Sequence, residues 1–332
     1  MPDYARTVAD VYIEVTEVLL RTSKNLNALS MVEDRLYRNR DDLPSWVPDY
    51  SAWFHRGVGT LKQGVYSASK GLCPEWTHQQ RGRILNISAA KIGQVTMVGE
   101  TKQGLIETWS SWTWLHILVN MPKTYANGQN TIEAFWRTLI GDVCDERDCF
   151  DNKELETPTY RCPAPTSLEA SFRHWFAFHV GHGFAYSRRS GEDHLSQAIV
   201  DLDQLSANDP VGLIPSVDEI NQFANVYLDP PQAFLDSRMD LIKLTRPYER
   251  AIAVTPEARF FTTSKGLMGI GPLSMLAEDS IWLIPGAEVL FIFRKRSGGD
   301  RYEFVGDAYV HGLMHGEAVE DAVKKMTTVE LE

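Results

Sequence analysis

Hydrophobic periodicity changes twice along this chain, and the two changes restrict the folds open to it. Strand signals occupy 65–98: Val65-Tyr66-Ser67-Ala68, the alternating run Arg83 to Ile87, and, after a break, Ile92 to Val98. From about 103 to 253 the apolar side chains recur every three or four residues, as helices require. From 259 to 312 strands return, rich in β-branched and aromatic residues at Ser280–Ile284, Glu288–Arg294 and Arg301–Val310. Ser297-Gly298-Gly299 supplies a hairpin turn between the last two. The order helix, strands, helices, strands predicts one α+β domain over 1–332. Its N- and C-terminal strands would share a sheet or partial barrel, with a large helical insert over 103–253.

Within that frame several elements are specific. Val8, Val11, Tyr12, Val15, Val18 and Leu19 follow a capping Thr7 at helical spacing and are expected to face the core. Leu105, Trp109, Trp112 and His116 would share one face of a helix ending before Pro122. Thr131–Val143 is expected to be helical with Ile132, Phe135, Trp136 and Leu139 inward, and Cys144–Pro165 to be a loop. Ser167–Arg188, Leu195–Leu205, Val217–Leu228 and Ala233–Ala253 complete the helices, with Pro230-Pro231 separating the last two. In Leu43-Pro44-Ser45-Trp46-Val47-Pro48-Asp49-Tyr50-Ser51, two prolines bracket a tryptophan. That run cannot be helix interior and reads as a rigid, extended connector with an anchored aromatic.

The net charge of −11 argues against nucleic-acid and anionic-membrane partners, which call for a basic face. No run of about 18 apolar residues occurs, so no membrane insertion is expected. The opening Met-Pro-Asp-Tyr-Ala-Arg begins an amphipathic helix rather than a signal peptide, which predicts a cytoplasmic protein. Cys73, Cys144, Cys149 and Cys162 lack paired C-x-x-C knuckles and are expected to be unpaired thiols.

Four segments carry a resemblance. They are the opening Asp3 to Leu20, the connector Leu43 to Ser51, the run Arg259-Phe260-Phe261-Thr262-Thr263-Ser264-Lys265-Gly266-Leu267-Met268-Gly269-Ile270-Gly271-Pro272, and Tyr309-Val310-His311-Gly312-Leu313-Met314-His315-Gly316-Glu317-Ala318. Together they resemble the C-terminal half of fungal heterokaryon-incompatibility (HET) proteins. In that family a Thr-x-x-Gly-x-x-Gly-x-Gly-Pro strand precedes a Tyr-Val-His-Gly-Ile-Met stretch. The N-terminal half expected of such proteins, including a Leu-Ser-Tyr-x-Trp-Gly stretch, is not seen. The resemblance therefore implies the accessory half without the HET domain proper, and the activity of the missing half does not carry over. It extends to HET-derived Diels–Alderases of diterpenoid biosynthesis that form norbornene rings.

Chemical motifs are sparse. Gly266, Gly269 and Gly271 have the wrong spacing for a dinucleotide loop and read as close-packing glycines in a strand. His311, His315 and Glu317 would suit a metal only on a helix, and the flanking glycines favour a turn. Asp145-Glu146-Arg147-Asp148 and Asp201-Leu202-Asp203-Gln204 fall short of terpene-cyclase acid motifs and read as solvated helix faces. Gly-x-Ser-x-Gly is absent, while a Cys–His pairing in space stays open.

The aromatic side chains give the candidate site. Trp175, His179, His182 and Tyr186 follow i, i+4, i+7, i+11 on one helix and form a stripe, with Gly181 and Gly183 leaving room for a ligand or a close helix crossing. The stripe is either an aromatic core edged by histidines or the wall of an apolar small-molecule pocket. Candidate donors are His116, His179, His182, Tyr186 and Arg173, and candidate walls are Trp46, Trp53, Trp109, Trp112 and Trp175. Such a set, with no metal or nucleotide cofactor, would fit a cyclase of fungal secondary metabolism. The reaction expected is a pericyclic closure of the intramolecular Diels–Alder type on an apolar terpenoid or polyketide precursor. The alternatives are a non-enzymatic binding or regulatory module of the incompatibility system, and a hydrolase or dehydratase using a His–acid pair.

Overall fold

The first helix begins where Thr7 accepts a hydrogen bond from the Asp10 N–H at 3.1 Å, and it runs from Val8 to Ser23 (α1). The computed structural model to which it belongs describes residues 6–52, 57–62, 64–80, 82–107, 112–149, 159–191, 195–228, 243–255 and 257–332. Two compact units emerge, unit one from Met1–Met97 with Phe261–Glu332, and unit two from Val98–Phe260.

Unit one is built on a curled, mainly antiparallel sheet. Its strands are β1 (Trp76–Gln79), β2 (Ile84–Thr101), β5 (Arg259–Thr263), β6 (Met268–Gly271), β7 (Ser280–Leu283), β8 (Leu290–Lys295), β9 (Tyr302–Val310) and β10 (Thr327–Leu331). Their order is β1-β2-β5-β6-β9-β8-β7, and β7 also pairs with β2, so the sheet curls into a partial barrel. The expected break between Ile87 and Ile92 is instead one long strand, bulged between Lys91 and Gly93 where its pairing with β7 shifts register. β10 closes against the first part of β2, with Val329 opposite Ile87. Strands β7 and β8 are buried on both faces, and their apolar runs are accordingly continuous rather than alternating. Gly269 meets its expected close-packing role: a Cβ there would lie 2.4 Å from the Phe261 ring and 2.5 Å from the Tyr309 carbonyl oxygen.

The proline-bracketed connector is organised by an arginine that local pattern did not reveal. Arg38 donates to the carbonyls of Pro44, Ser45 and Val47 at 3.1, 2.7 and 3.1 Å, and Trp46 is fully buried. Asp49 accepts from the N–H groups of Asn39 and Ser51, at 2.8 and 3.0 Å. Two expectations in unit one are corrected. Val65–Ala68 is turn and irregular chain, because its N–H groups go singly to loop carbonyls: Ser67 to Met314, and Ala68 to Glu288. On α1 the valine face is the exposed one, with Val8, Val11, Val15 and Val18 39–51% accessible, while Ala9, Ile13, Thr16 and Leu20 face the core.

Unit two is helical. It contains α3 (Lys102–Glu107), α4 (Thr113–Val119), α5 (Thr131–Leu139), α6 (Glu146–Cys149), α7 (Leu168–Ser190), α8 (Leu195–Ala207), α9 (Val217–Leu228) and α10 over 243–252. The helix expected to carry Leu105 through His116 is broken instead. Trp112 takes a left-handed φ of 54°, and Glu100 accepts from the N–H groups of Thr113 and Trp114 at 2.7 and 3.0 Å. A carboxylate capping two free N–H groups starts α4 afresh. Asn130 caps α5 in the same way, accepting from Ile132 at 2.7 Å. The expected loop over 144–165 holds a short hairpin, Cys144–Asp145 (β3) with Tyr160–Arg161 (β4), together with α6. Asp145 is chelated by Arg147, which holds its carboxyl below the usual range.

Candidate functional site

The expected stripe on α7 is graded from interior to solvent. Trp175 and His179 are buried, His182 is half-buried and Tyr186 is 52% exposed. Trp175 lies among rings rather than along an open wall, with its centroid 6.2 Å from Phe172, 5.1 Å from His179 and 5.2 Å from Tyr248. Phe172 also meets Phe135, Trp136 and Phe176. Tyr248, wholly buried, donates its O–H to the Trp136 carbonyl at 2.8 Å, and burial raises its pKa well above the usual phenol range. Gly181 serves a helix crossing: a Cβ there would stand 2.6 Å from the Phe223 Cβ of α9.

Other expected walls are placed as follows. Trp112 is buried edge-on to Phe184, 5.3 Å between centroids. Trp46 belongs to the connector of unit one. Trp53 and Trp109 lie outside the described residues.

The expected donors acquire acid partners that lie far away in sequence. His179 Nε2 meets Glu249 Oε2 at 2.9 Å. Arg173 donates to Glu219 at 2.5 Å and to the Gly212 carbonyl at 2.9 Å, and its hydrogen bond is the main reason the Glu219 carboxyl titrates lower than usual. Burial pushes the His182 imidazole down, helped by the charges of His179 and Arg189. His116 on α4 is the informative case. Its side chain is 55% exposed, and its Nδ1 lies 3.3 Å from Oδ2 of the buried Asp201 on α8. Asp201 is itself fixed by Gln197, whose Nε2 donates to Oδ1 at 2.8 Å. The expectation that Asp201 sits on a solvated face is thereby corrected, since its carboxylate turns inward to hold an imidazole.

The chemistry of that pair follows from its geometry. A carboxylate only accepts, so His116 presents Nδ1–H to Asp201 and leaves Nε2 as the working atom. Nε2 accepts a proton in the neutral ring and donates one in the imidazolium. Neither Asp201 nor Gln197 stood out from the sequence as a partner of His116, because 85 residues separate the pair.

Among the described residues no three His, Cys, Asp or Glu side chains gather as metal ligands would. His311 is buried at the end of β9 and lies 2.7 Å from the Tyr309 hydroxyl, while His315 donates its backbone N–H to Glu317. Cys144 is buried, Cys162 is half-buried and Cys73 is exposed. No described helix is long and apolar enough to cross a membrane.

No curated protein and no solved structure matches this chain. A family description, the Het-6 beta-barrel domain, matches residues 119–327, well over half of the sequence. That span takes in most of the helical unit and the late strands that build the curled sheet, and the chain therefore belongs to the Het-6 β-barrel domain family.

Proposed function

We propose that the chain is a cyclase of fungal secondary metabolism that folds an apolar terpenoid or polyketide precursor against unit two and polarises one of its carbonyl groups. The observation that carries this reading is the His116–Asp201 pair. Of the five expected donors, His116 alone combines a largely exposed ring with a buried carboxylate that fixes its orientation. A closure of the intramolecular Diels–Alder type needs a reactive substrate conformer and one hydrogen bond to the carbonyl that activates the dienophile. The protonated Nε2 of His116 would supply such a donor.

The experiment is conversion of a linear precursor bearing a diene and an enone, followed by chromatography and mass spectrometry. His116→Ala should lower the rate by about 10²-fold and Asp201→Asn by a smaller factor, the range found for positioned proton donors. Wild-type protein that leaves such precursors unchanged, or a His116→Ala variant of undiminished rate, refutes the reading.

A second reading, a binding module of the incompatibility system, is favoured by one specific observation. Trp175 and Trp112 pack against neighbouring rings, while the valines of α1 are exposed. Retention of partner binding in a His116→Ala variant that shows no catalytic defect would decide for it.

A further inference from the structure

Unit one holds a cleft that plays no part in this scheme. It lies where α1 ends beside β1, has a volume of about 690 Å³, and is lined by Leu20, Arg21, Lys24, Cys73, Pro74, Trp76, Thr77 and His78. That size falls within the range of small-molecule sites. Its polar groups form an ordered chain. Glu17, mostly buried, accepts from His78 Nδ1 at 3.1 Å and lies 3.9 Å from the Arg21 guanidinium. His78 Nε2 in turn accepts from Arg21 at 3.2 Å, and the guanidinium carbon stands 5.9 Å from the centre of the Trp76 ring. The arginine is thus held by Glu17, His78 and Trp76, and its remaining N–H groups form no hydrogen bond among the described residues. Lys24, left-handed at φ 55° as the C-cap of α1, forms no ion pair among the described residues.

We infer that this cleft binds a small molecule carrying a carboxylate on a flat, apolar body. A pre-oriented guanidinium with an ammonium nearby matches the fork of a carboxylate, and the cost of ordering the arginine is already met by Glu17, His78 and Trp76. Pro74 and the half-buried indole of Trp76 supply the apolar wall for the body, with the buried Leu20 behind them. The anion has to be held by these side chains alone, since the end of α1 presents carbonyls and so favours cations. In a chain of net charge −11, two basic side chains and one mostly buried acid make this a locally cationic concavity.

Cys73 gives the test a reporter at the site, because its exposed thiol lines the cleft. The full chain is titrated calorimetrically with 2-naphthoate and, as a control of the same shape without charge, 2-naphthalenemethanol. Alkylation of Cys73 by iodoacetamide is followed at peptide level in the same samples. The acid should bind saturably, at least about tenfold more tightly than the alcohol, and slow Cys73 alkylation in step with occupancy. Arg21→Gln and Lys24→Gln, both at exposed positions that do not threaten folding, should each weaken the acid by roughly three- to tenfold. No saturable binding, equal affinity for acid and alcohol, or binding that leaves Cys73 alkylation unchanged would overturn the assignment. None of these readouts depends on His116, so failure here and failure of the cyclase reading are separate results.

Discussion

In unit one the backbone groups that burial would leave unpaired are met by carboxylates, whereas in unit two the interior is filled ring against ring. Asp307 on β9 accepts from the N–H groups of Val58 and Gly59 at 3.0 and 2.8 Å. Glu33 accepts from Asp49, Asp34 from Leu36 and Ser274, and Glu288 from Gly64. Each acid ties a loop or the start of a short helical turn whose N–H groups no ladder serves. Unit two satisfies most of its backbone within helices, Glu100 and Asp209 meeting exceptions, and its interior holds Trp114, Phe135, Trp136, Phe172, Trp175 and Tyr248, which pack at centroid distances of 5.2–6.5 Å. Burial makes the acid-tied segments of unit one sensitive to protonation and the ring cluster of unit two sensitive to side-chain volume.

Substituting the hub of unit two should break the comparison hardest. Phe172→Ala removes a fully buried ring that touches five others, and should cost about 3–5 kcal/mol in urea unfolding. A cost under about 1 kcal/mol would mean that the rings are loosely packed, and would reopen a pocket at the α7 stripe. In unit one, Asp307→Ala leaves two buried N–H groups without their acceptor, for roughly 2–3 kcal/mol.

A third effect distinguishes acid from volume. Burial pushes the Asp307 carboxyl from 3.8 up to about 6, against the pull of the Gly59 and Val58 N–H groups and Ser30. A folded-state value above the unfolded one means that the native protein holds the proton more tightly between the two. The contribution of this group is therefore full below about pH 4 and is lost as pH rises through about 6. Wild type should gain of the order of 2 kcal/mol relative to Asp307→Asn when both are taken from about pH 7 to about pH 4. Parallel pH profiles for the two proteins would contradict the burial assigned to Asp307. The smallest effect belongs to the exposed face of α1, where Val11→Ser and Val15→Ser should each change stability by less than about 0.5 kcal/mol. A larger loss would show that this face is covered in solution.

Much of the fold was legible because its signals are local. The Thr7 cap, the helices at Leu168–Ser190 and Val217–Leu228, the late strands and the tight packing at Gly269 all rest on residues a few positions apart. Of the candidate site, the donors were legible by type and their acids were not. His116, His179 and Arg173 stand out on their helices, but nothing near them in sequence points to Asp201, Glu249 or Glu219. The helix break at Trp112 was hidden for the same reason. Leu105 to His116 has helical spacing throughout, and the cap that restarts α4 comes from Glu100, beyond the window in which spacing is read.

The sequence by itself determined the order of elements, the α+β class and the family, because periodicity, caps and turn residues act over one or two helical turns or a single hairpin. Only the tertiary structure decided which face of α1 is buried, since both faces carry apolar residues and periodicity cannot choose between Val8-Val11-Val15-Val18 and Ala9-Ile13-Leu20. It also decided that β2 is one bulged strand shared by β1, β5, β7 and β10, and that His116 is held by an aspartate 85 residues away. Contacts of that span leave no local trace, because their free energy arises only when the chain closes the loop between them.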